Sequence, residues 1–116
     1  MDKRDRTDEN LQTQIAKARE KAAILSAVEP RAEAAYYDRE TGRVVIHLRH
    51  GAIFSFPARL GQGLTGATPD DLADVVVTPS GTGLHWAALD ADLSIPALLN
   101  GIYGDATWMA QVMSLN

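Results

Sequence analysis

The hydrophobic residues of the chain change their spacing near residue 30. In residues 8–28, DENLQTQIAKAREKAAILSAV, apolar positions recur every three or four residues and line one side of a helix. Acidic residues at the start and Pro30 beyond the end suit a predicted helix of about five turns. The apolar positions are Leu11, Ile15, Ala18, Ala22, Leu25 and Val28. This stripe is narrow and alanine-rich, so we expect the helix to pack on one flat surface, either its own sheet or another copy of the chain.

Residues 32–59 follow a period of two, which is typical of strands. The segments AEAAYYD, RVVIHLR and AIFSFP are separated by turn residues, so they predict a three-stranded antiparallel meander. In the middle strand Val44, Ile46 and Leu48 share the face that we expect to be buried. In the third strand Ile53 points away from Phe54 and Phe56.

Residues 60–116 predict a helix, two strands and a closing helix. Thr68 followed by proline and acidic residues is a helix start, and Val75-Val76-Val77 is a β-type run. Leu84 and Trp86 form the inner face of a further strand, which leaves His85 outward. Asp92 and Ser94 are expected to cap a helix that begins at Ile95 and is closed by Gly101 or Gly104. A final turn or two carries Trp108.

The charges are divided unevenly along the chain. The formal charge is +1 in residues 1–31, +1 in residues 32–59 and −6 in residues 60–116, which contain no Lys or Arg. Phosphate contacts need cations, so this distribution argues against nucleic-acid binding. The acidic half could instead meet a basic patch on a protein partner.

Length and composition predict one small domain in a reducing compartment. A chain of 116 residues supports one hydrophobic core. No apolar run is long enough to span a membrane, and the N-terminus does not resemble a signal or transit peptide. Cysteine is absent, which excludes disulfides and thiolate metal sites. A cytoplasmic location is the expectation.

Asp90 and Asp92 form the sharpest candidate for chemistry. Oxygen ligands at alternate positions begin a calcium loop, but Ile95 stands where that loop needs glycine and Gly101 where it needs glutamate. An exposed loop also offers nothing that would separate the pKa values of the two carboxyls. We therefore expect no metal and no catalytic pair at these positions.

The remaining patterns give no catalytic or cofactor motif. The three histidines do not converge by spacing, no serine lies in a nucleophile elbow, and no Walker or Rossmann spacing is present. Trp86 is expected in the core, with ligand stacking as the alternative. The candidate binding residues are His85, Trp86, Asp90 and Asp92. Of these, only His85 and Asp90 have no structural duty that the sequence can assign.

The run Gly81-x-Gly83-Leu84-His85-Trp86-x-x-Leu89-Asp90-x-Asp92-Leu93-Ser94, followed by Pro96-x-Leu98-Leu99-x-Gly101, resembles the signature of a bacterial family of unassigned function. This family is number twenty-four forty-two in the domain-of-unknown-function series, and the resemblance covers residues 32–113. It implies a β(3)-α-β(2)-α domain. Some relatives are fused to a DNA-binding helix-turn-helix or are encoded beside a small protein in a toxin–antitoxin-like arrangement. This chain has Ala87 where many relatives have proline.

These observations predict an α+β fold: an antiparallel three-stranded meander followed by α-β-β-α, with an added N-terminal helix. Residues 1–31 form the helical extension and residues 32–116 the small domain. The favoured function is a non-enzymatic protein-interaction or oligomerisation domain without a cofactor, with helix 8–28 as a dimer or partner surface. Two alternatives stay open. One is an antitoxin-like or inhibitory partner of another small protein that uses the acidic C-terminal half, around Asp90, Asp92 and Asp105. The other is a small-molecule binder with a pocket between Trp86, His85 and residues 61–66.

Overall fold

The computed structural model describes residues 10–20 and 29–114. Residues 10–20 are helical throughout and form helix α1. The predicted helix over 8–28 is thus confirmed for residues 10–20, and its other positions lie outside the described residues. All eleven described residues of α1 are exposed to solvent, so this part of the helix does not pack on the sheet of its own chain.

Residues 29–114 form a domain with two small antiparallel sheets and three further helices. The strands are β1 (Ala32–Asp38), β2 (Arg43–Leu48), β3 (Ile53–Pro57), β4 (Val76–Val77), β5 (Gly83–Trp86) and β6 (Ala91–Ser94). The helices are α2 (Pro69–Ala73), α3 (Ile95–Leu99) and α4 (Ala106–Ser114), with single 3₁₀ turns at Ala58–Leu60 and Ala87–Leu89. The predicted α+β class, with a meander first and helices and strands after it, is confirmed.

The first sheet has the order β1-β2-β3 and an inner and an outer face. Val44, Ile46 and Leu48 are buried on the inner face, as their alternation predicts. Phe56 of β3 lies opposite Val44 on that face, whereas Ile53 lies opposite His47 on the outer face. A shift in register near Ala32 and Ala34 marks a bulge in β1.

The second sheet has the order β4-β5-β6 and contains a strand that the sequence did not predict. The segment from Ala91 to Ser94 was expected to be a loop before a helix, but it is strand β6 and pairs with β5. Leu84 pairs with Leu93 on the buried face, and His85 pairs with Asp92 on the outer face. The domain therefore has one strand more than the β(3)-α-β(2)-α pattern.

One hydrophobic core contains the inner-face side chains of both sheets. Trp86 is completely buried, and its indole N–H donates a hydrogen bond to the Leu72 carbonyl at 3.1 Å. This bond satisfies the polar atom of a large buried ring and joins β5 to α2. The other fully buried large side chains are Phe56, Ile46, Leu84, Ile95, Leu98 and Val44.

The helices begin and end largely where their capping residues predict. The Thr68 hydroxyl accepts the amide of Asp71, and the Ser94 hydroxyl accepts the amide of Ala97. Gly101 follows α3 with a φ of +76°, which favours glycine and closes the helix. Asp92 was also expected to cap α3, and that expectation is wrong because its carboxylate points to β5 instead.

No helix within residues 10–20 and 29–114 is both long enough and apolar enough to cross a membrane.

Candidate functional site

His85 and Asp92 form a side-chain pair on the outer face of the second sheet. The two residues are direct cross-strand partners, and His85 Nδ1 lies 2.7 Å from Asp92 Oδ1. A carboxylate accepts a hydrogen bond from this nitrogen only if the nitrogen carries a proton, so the pair fixes that proton on Nδ1. His85 was expected to point outward without a structural duty. It does point outward, but it links β5 to the edge strand β6.

The His85–Asp92 pair has part of the geometry of a general base, because an acidic group orients an imidazole. The bond to Asp92 is the only hydrogen bond of the His85 ring within the described part of the chain. Ser94, the closest hydroxyl along β6, is occupied in capping α3. A cross-strand pair that stabilises the sheet explains the same contact without a reaction.

Asp90 has a backbone role. It follows the 3₁₀ turn Ala87–Leu89 and is the only non-glycine residue with positive φ in the described ranges, at φ 47° and ψ 44°. Aspartate tolerates this left-handed conformation better than most residues. Its amide donates to the Ala87 carbonyl at 3.2 Å, which completes the turn into β6. The expectation that Asp90 lacks a structural duty is therefore wrong.

Asp105 takes part in a polar junction that the sequence did not reveal. Its Oδ1 accepts the Trp108 amide at 2.8 Å at the start of α4, and its Oδ2 accepts Gln62 Nε2 at 3.0 Å. The Asp105 amide donates in return to Gln62 Oε1 at 2.8 Å. The hydrogen bonds from Trp108 and then from Gln62 lower the pKa of the Asp105 carboxyl below its ordinary value of 3.8.

This junction requires glycine at position 104, because the packing there leaves no room for a side chain. A Cβ atom at this position would lie 2.5 Å from Trp108 Cδ1 and 2.6 Å from Gln62 Oε1. The Trp108 indole N–H reaches past it to the Leu60 carbonyl at 2.7 Å. These contacts attach α4 to the loop around residues 60–62.

Three of the acidic residues line one cleft beside β6. Asp90, Asp92 and Asp105 border a cavity of about 520 Å³, together with Gln62 and Ser94. Within the described ranges, no group of three His, Asp or Glu side chains has an arrangement that could hold a metal ion.

The structure brings together only some of the predicted binding residues. Asp90 and Asp92 share the cleft and His85 joins it through Asp92, but Trp86 lies in the core on the opposite face of β5. The expected pocket between Trp86, His85 and residues 61–66 is not formed, because Trp86 has no exposed surface.

A second candidate surface consists of apolar side chains in contact with water. Leu11 and Ile15 of α1 are 53% and 43% exposed, and they lie on the same side of the helix. On the outer face of the first sheet, Tyr36 is 48% and Ile53 is 62% exposed. The alternation of β3 predicted that Ile53 points outward, and this was the one feature of the sequence that indicated an apolar residue on the outer face of the sheet.

The sequence profile of a family described as "Protein of unknown function (DUF2442)" matches residues 32–104. The chain belongs to this family. The DUF2442 match includes all six strands, α2 and α3, whereas α1 lies before it and α4 after it. The four predicted binding residues fall inside the family domain.

Two solved structures resemble the DUF2442 domain. A crystal structure of a protein of unknown function from Rhodospirillum rubrum is 52% identical, with a TM-score of 0.68, and the match covers 70% of this chain and 98% of that one. A solution NMR structure of the uncharacterised protein CV0863 from Chromobacterium violaceum is 31% identical, with a TM-score of 0.68, and covers 81% of this chain and 86% of that one. A comparison with curated proteins gave no match.

Proposed function

We propose that this protein is a non-enzymatic interaction domain that forms a homodimer through its N-terminal helix. The observation that carries the proposal is the complete exposure of helix α1 over residues 10–20, including the apolar side chains of Leu11 and Ile15. A short helix with no packing partner is only marginally stable in water, since most helical stability in proteins comes from burial of an apolar face. A partner that covers this face would supply the missing stability.

The family domain supports the same proposal because it is complete without α1. The profile match begins at residue 32, and the Rhodospirillum rubrum structure is covered almost entirely by 70% of this chain. Helix α1 is therefore an addition to a domain that already encloses its own core. An added amphipathic helix that contributes nothing to this core is available for association.

The helix is tested by a double substitution, Leu11→Glu with Ile15→Glu, in the full chain. Sedimentation velocity should show a dimer for the unmodified protein and a monomer for this variant, because two buried carboxylates would oppose docking. The matched control is Thr13→Glu with Ala16→Glu. It adds the same charge to α1 away from the apolar stripe and should leave the dimer intact. A monomeric unmodified protein would contradict the proposal.

The acidic cleft beside β6 favours a second candidate function, in which this protein binds a basic protein. Three carboxylates line the cleft, and residues 60–116 contain no Lys or Arg that would neutralise them. The negative electrostatic field of such carboxylates accelerates and orients association with a positively charged surface. An antitoxin-like or inhibitory role would use it in this way.

Retention of the protein on an immobilised arginine-rich peptide tests whether the acidic cleft binds a basic partner. Asp90→Asn with Asp92→Asn should reduce retention, and added salt should abolish it. The control is Asp71→Asn with Asp74→Asn, which removes the same charge from the acidic half outside the cleft. Equal loss of retention in both variants would show general charge attraction and would contradict a role for the cleft.

A further inference from the structure

The outer face of the first sheet carries an apolar row where an exposed sheet normally carries polar groups. The side chains that point to this side, as the strand register shows, are those of Ala34, Tyr36, Val45, His47, Ile53 and Ser55. Antiparallel sheets with one face in water usually alternate apolar and polar residues, so that the wet face is polar. Here the large apolar side chains of Tyr36 and Ile53 lie exposed on this face beside the polar side chains of His47 and Ser55. Exposed apolar area of this kind is typical of a surface that another element covers.

Side-chain contacts order the polar and aromatic groups of this outer face. The Tyr36 and His47 rings pack against each other with their centres 5.9 Å apart. Arg43, the cation at one end of the face, donates from Nε to Ser55 Oγ at 3.0 Å and from Nη2 to the Ser55 carbonyl at 3.2 Å. Its guanidinium group is therefore held at Ser55, toward the Pro57 end of β3, while Ile53 at the other end of the strand is 62% exposed.

The dimensions of the face suit one helix. Three strands about 4.8 Å apart span about 10 Å between their outer members. An α-helix with its side chains is about 10–12 Å in diameter. The apolar stripe of α1, with Leu11, Ile15 and Ala18, is narrow and small enough to lie flat on such a surface.

We propose that α1 of one copy docks on the outer face of β1, β2 and β3 in a second copy, and that the two copies exchange their helices reciprocally. This inference rests on the proposed dimer and names the surface that receives the helix. In the single chain, Leu11 and Ile15 are exposed at the same time as Tyr36 and Ile53. The chain thus carries two apolar surfaces that could contact each other, one on α1 and one on the first sheet, and both are exposed to water.

A second copy is the proposed occupant because each chain carries both an exposed apolar helix face and an exposed apolar sheet face. The same two patches meet twice in a symmetric dimer, which closes the assembly. A stable interface buries about 800 Å² on each partner. Because each copy contributes one helix and one sheet face, each of these patches has to lose only about 400 Å² to reach that value.

The sheet surface is tested by Ile53→Glu in the full chain. We expect this variant to sediment as a monomer, as Leu11→Glu with Ile15→Glu does. The control is Val76→Glu, which places the same charge on the outer face of the second sheet at a residue that is 54% exposed. Circular dichroism and urea unfolding of all variants verify that each is folded before its mass is interpreted.

Cross-linking tests which residues meet. The chain has no cysteine, so Ala18→Cys in one copy and Ala34→Cys in an isotope-labelled copy can be joined by a short bis-maleimide. Mixed dimers of the two mass-distinguished copies are expected. Thr13→Cys, on the far side of α1, should give far fewer mixed dimers with Ala34→Cys.

The outcomes separate this inference from the proposed function. Monomers of Ile53→Glu, dimers of Val76→Glu and mixed cross-links support helix exchange. If Leu11→Glu with Ile15→Glu is monomeric while Ile53→Glu stays dimeric, docking on the sheet is overturned and the helix dimer stands. If the unmodified chain is monomeric at every concentration, both are overturned.

Discussion

The polar edge of the domain, which comprises β6 and the residues Asp90, Asp92 and Asp105, differs from the apolar surfaces of α1 and the first sheet. The polar residues have contacts or turn positions within the chain, whereas the large apolar side chains are exposed to water. At the polar edge, Asp92 binds His85, Asp105 binds Gln62 and the Trp108 amide, and Asp90 shapes a turn. On the apolar surfaces, large side chains such as Ile15 and Ile53 lie in water.

This difference changes where function is to be sought. The residues whose chemistry attracts attention in the sequence, two acids and a histidine within eight positions, have intramolecular duties that maintain the fold. The residues that look ordinary in the sequence, leucine and isoleucine at helix and strand positions, are the ones that burial of the core leaves uncovered. Uncovered apolar area is the stronger indication of a partner.

The largest expected effect comes from Trp86, because it is both a predicted binding residue and the largest fully buried side chain. Trp86→Ala should lower the free energy of unfolding by about 3–5 kcal/mol through the cavity that it creates. Ile53→Ala, on the exposed face, should change it by less than about 0.5 kcal/mol. Urea unfolding of both variants measures these values in dilute solution. A Trp86→Ala protein as stable as the unmodified chain would show that the ring is not part of the core.

Gly104 should show the next largest effect. Gly104→Ala introduces a methyl group within 2.5 Å of Trp108 and 2.6 Å of Gln62. Relief of this clash should cost about 1–3 kcal/mol of unfolding free energy, as overpacking commonly does. Thermal unfolding measures the loss. If the midpoint temperature is unchanged, the junction between α4 and the loop at 60–62 is looser than its hydrogen bonds indicate.

Much of the fold was predictable because local patterns specify it. Alternation identified the inner faces of β2 and β5, and the hydroxyls of Thr68 and Ser94 identified two helix starts. Strand β6 was not predictable, since aspartate is rare in strands and its pairing with His85 depends on a contact between two strands.

The candidate site was predictable only in part. Asp105 carries no local signal for its bond to Gln62, which lies 43 residues away along the chain. The exposure of Leu11 and Ile15 was not predictable either. A helical period predicts one apolar face but does not show which surface, if any, covers it.

A smaller effect is expected for the His85–Asp92 pair. A double-mutant cycle with His85→Ala and Asp92→Ala should give a coupling energy of roughly 0.2–1 kcal/mol, the range for partly exposed charged pairs. Urea unfolding of the unmodified chain, the two single variants and the double variant measures this coupling. Independent, additive effects of the two substitutions would contradict a stabilising pair.

The smallest effect is expected for Asp105, and it should depend on pH. The folded-state pKa lies below the ordinary value of 3.8, so the carboxylate stabilises the folded protein above about pH 4. That contribution is lost as the pH falls through the lower, folded-state pKa. Asp105→Asn should therefore be less stable than the unmodified chain at neutral pH, and the difference should disappear in acid. A difference that is the same at neutral and acid pH would contradict this origin.

The most direct test of the dimer is hydrogen exchange of the amides in residues 10–20 at low and at high protein concentration. If α1 packs on a second copy, protection of these amides should rise with concentration and should be lost at all concentrations in Leu11→Glu with Ile15→Glu, but not in Thr13→Glu with Ala16→Glu. Protection that is independent of concentration in the unmodified chain would show that α1 finds no partner in another copy, and would contradict the central claim.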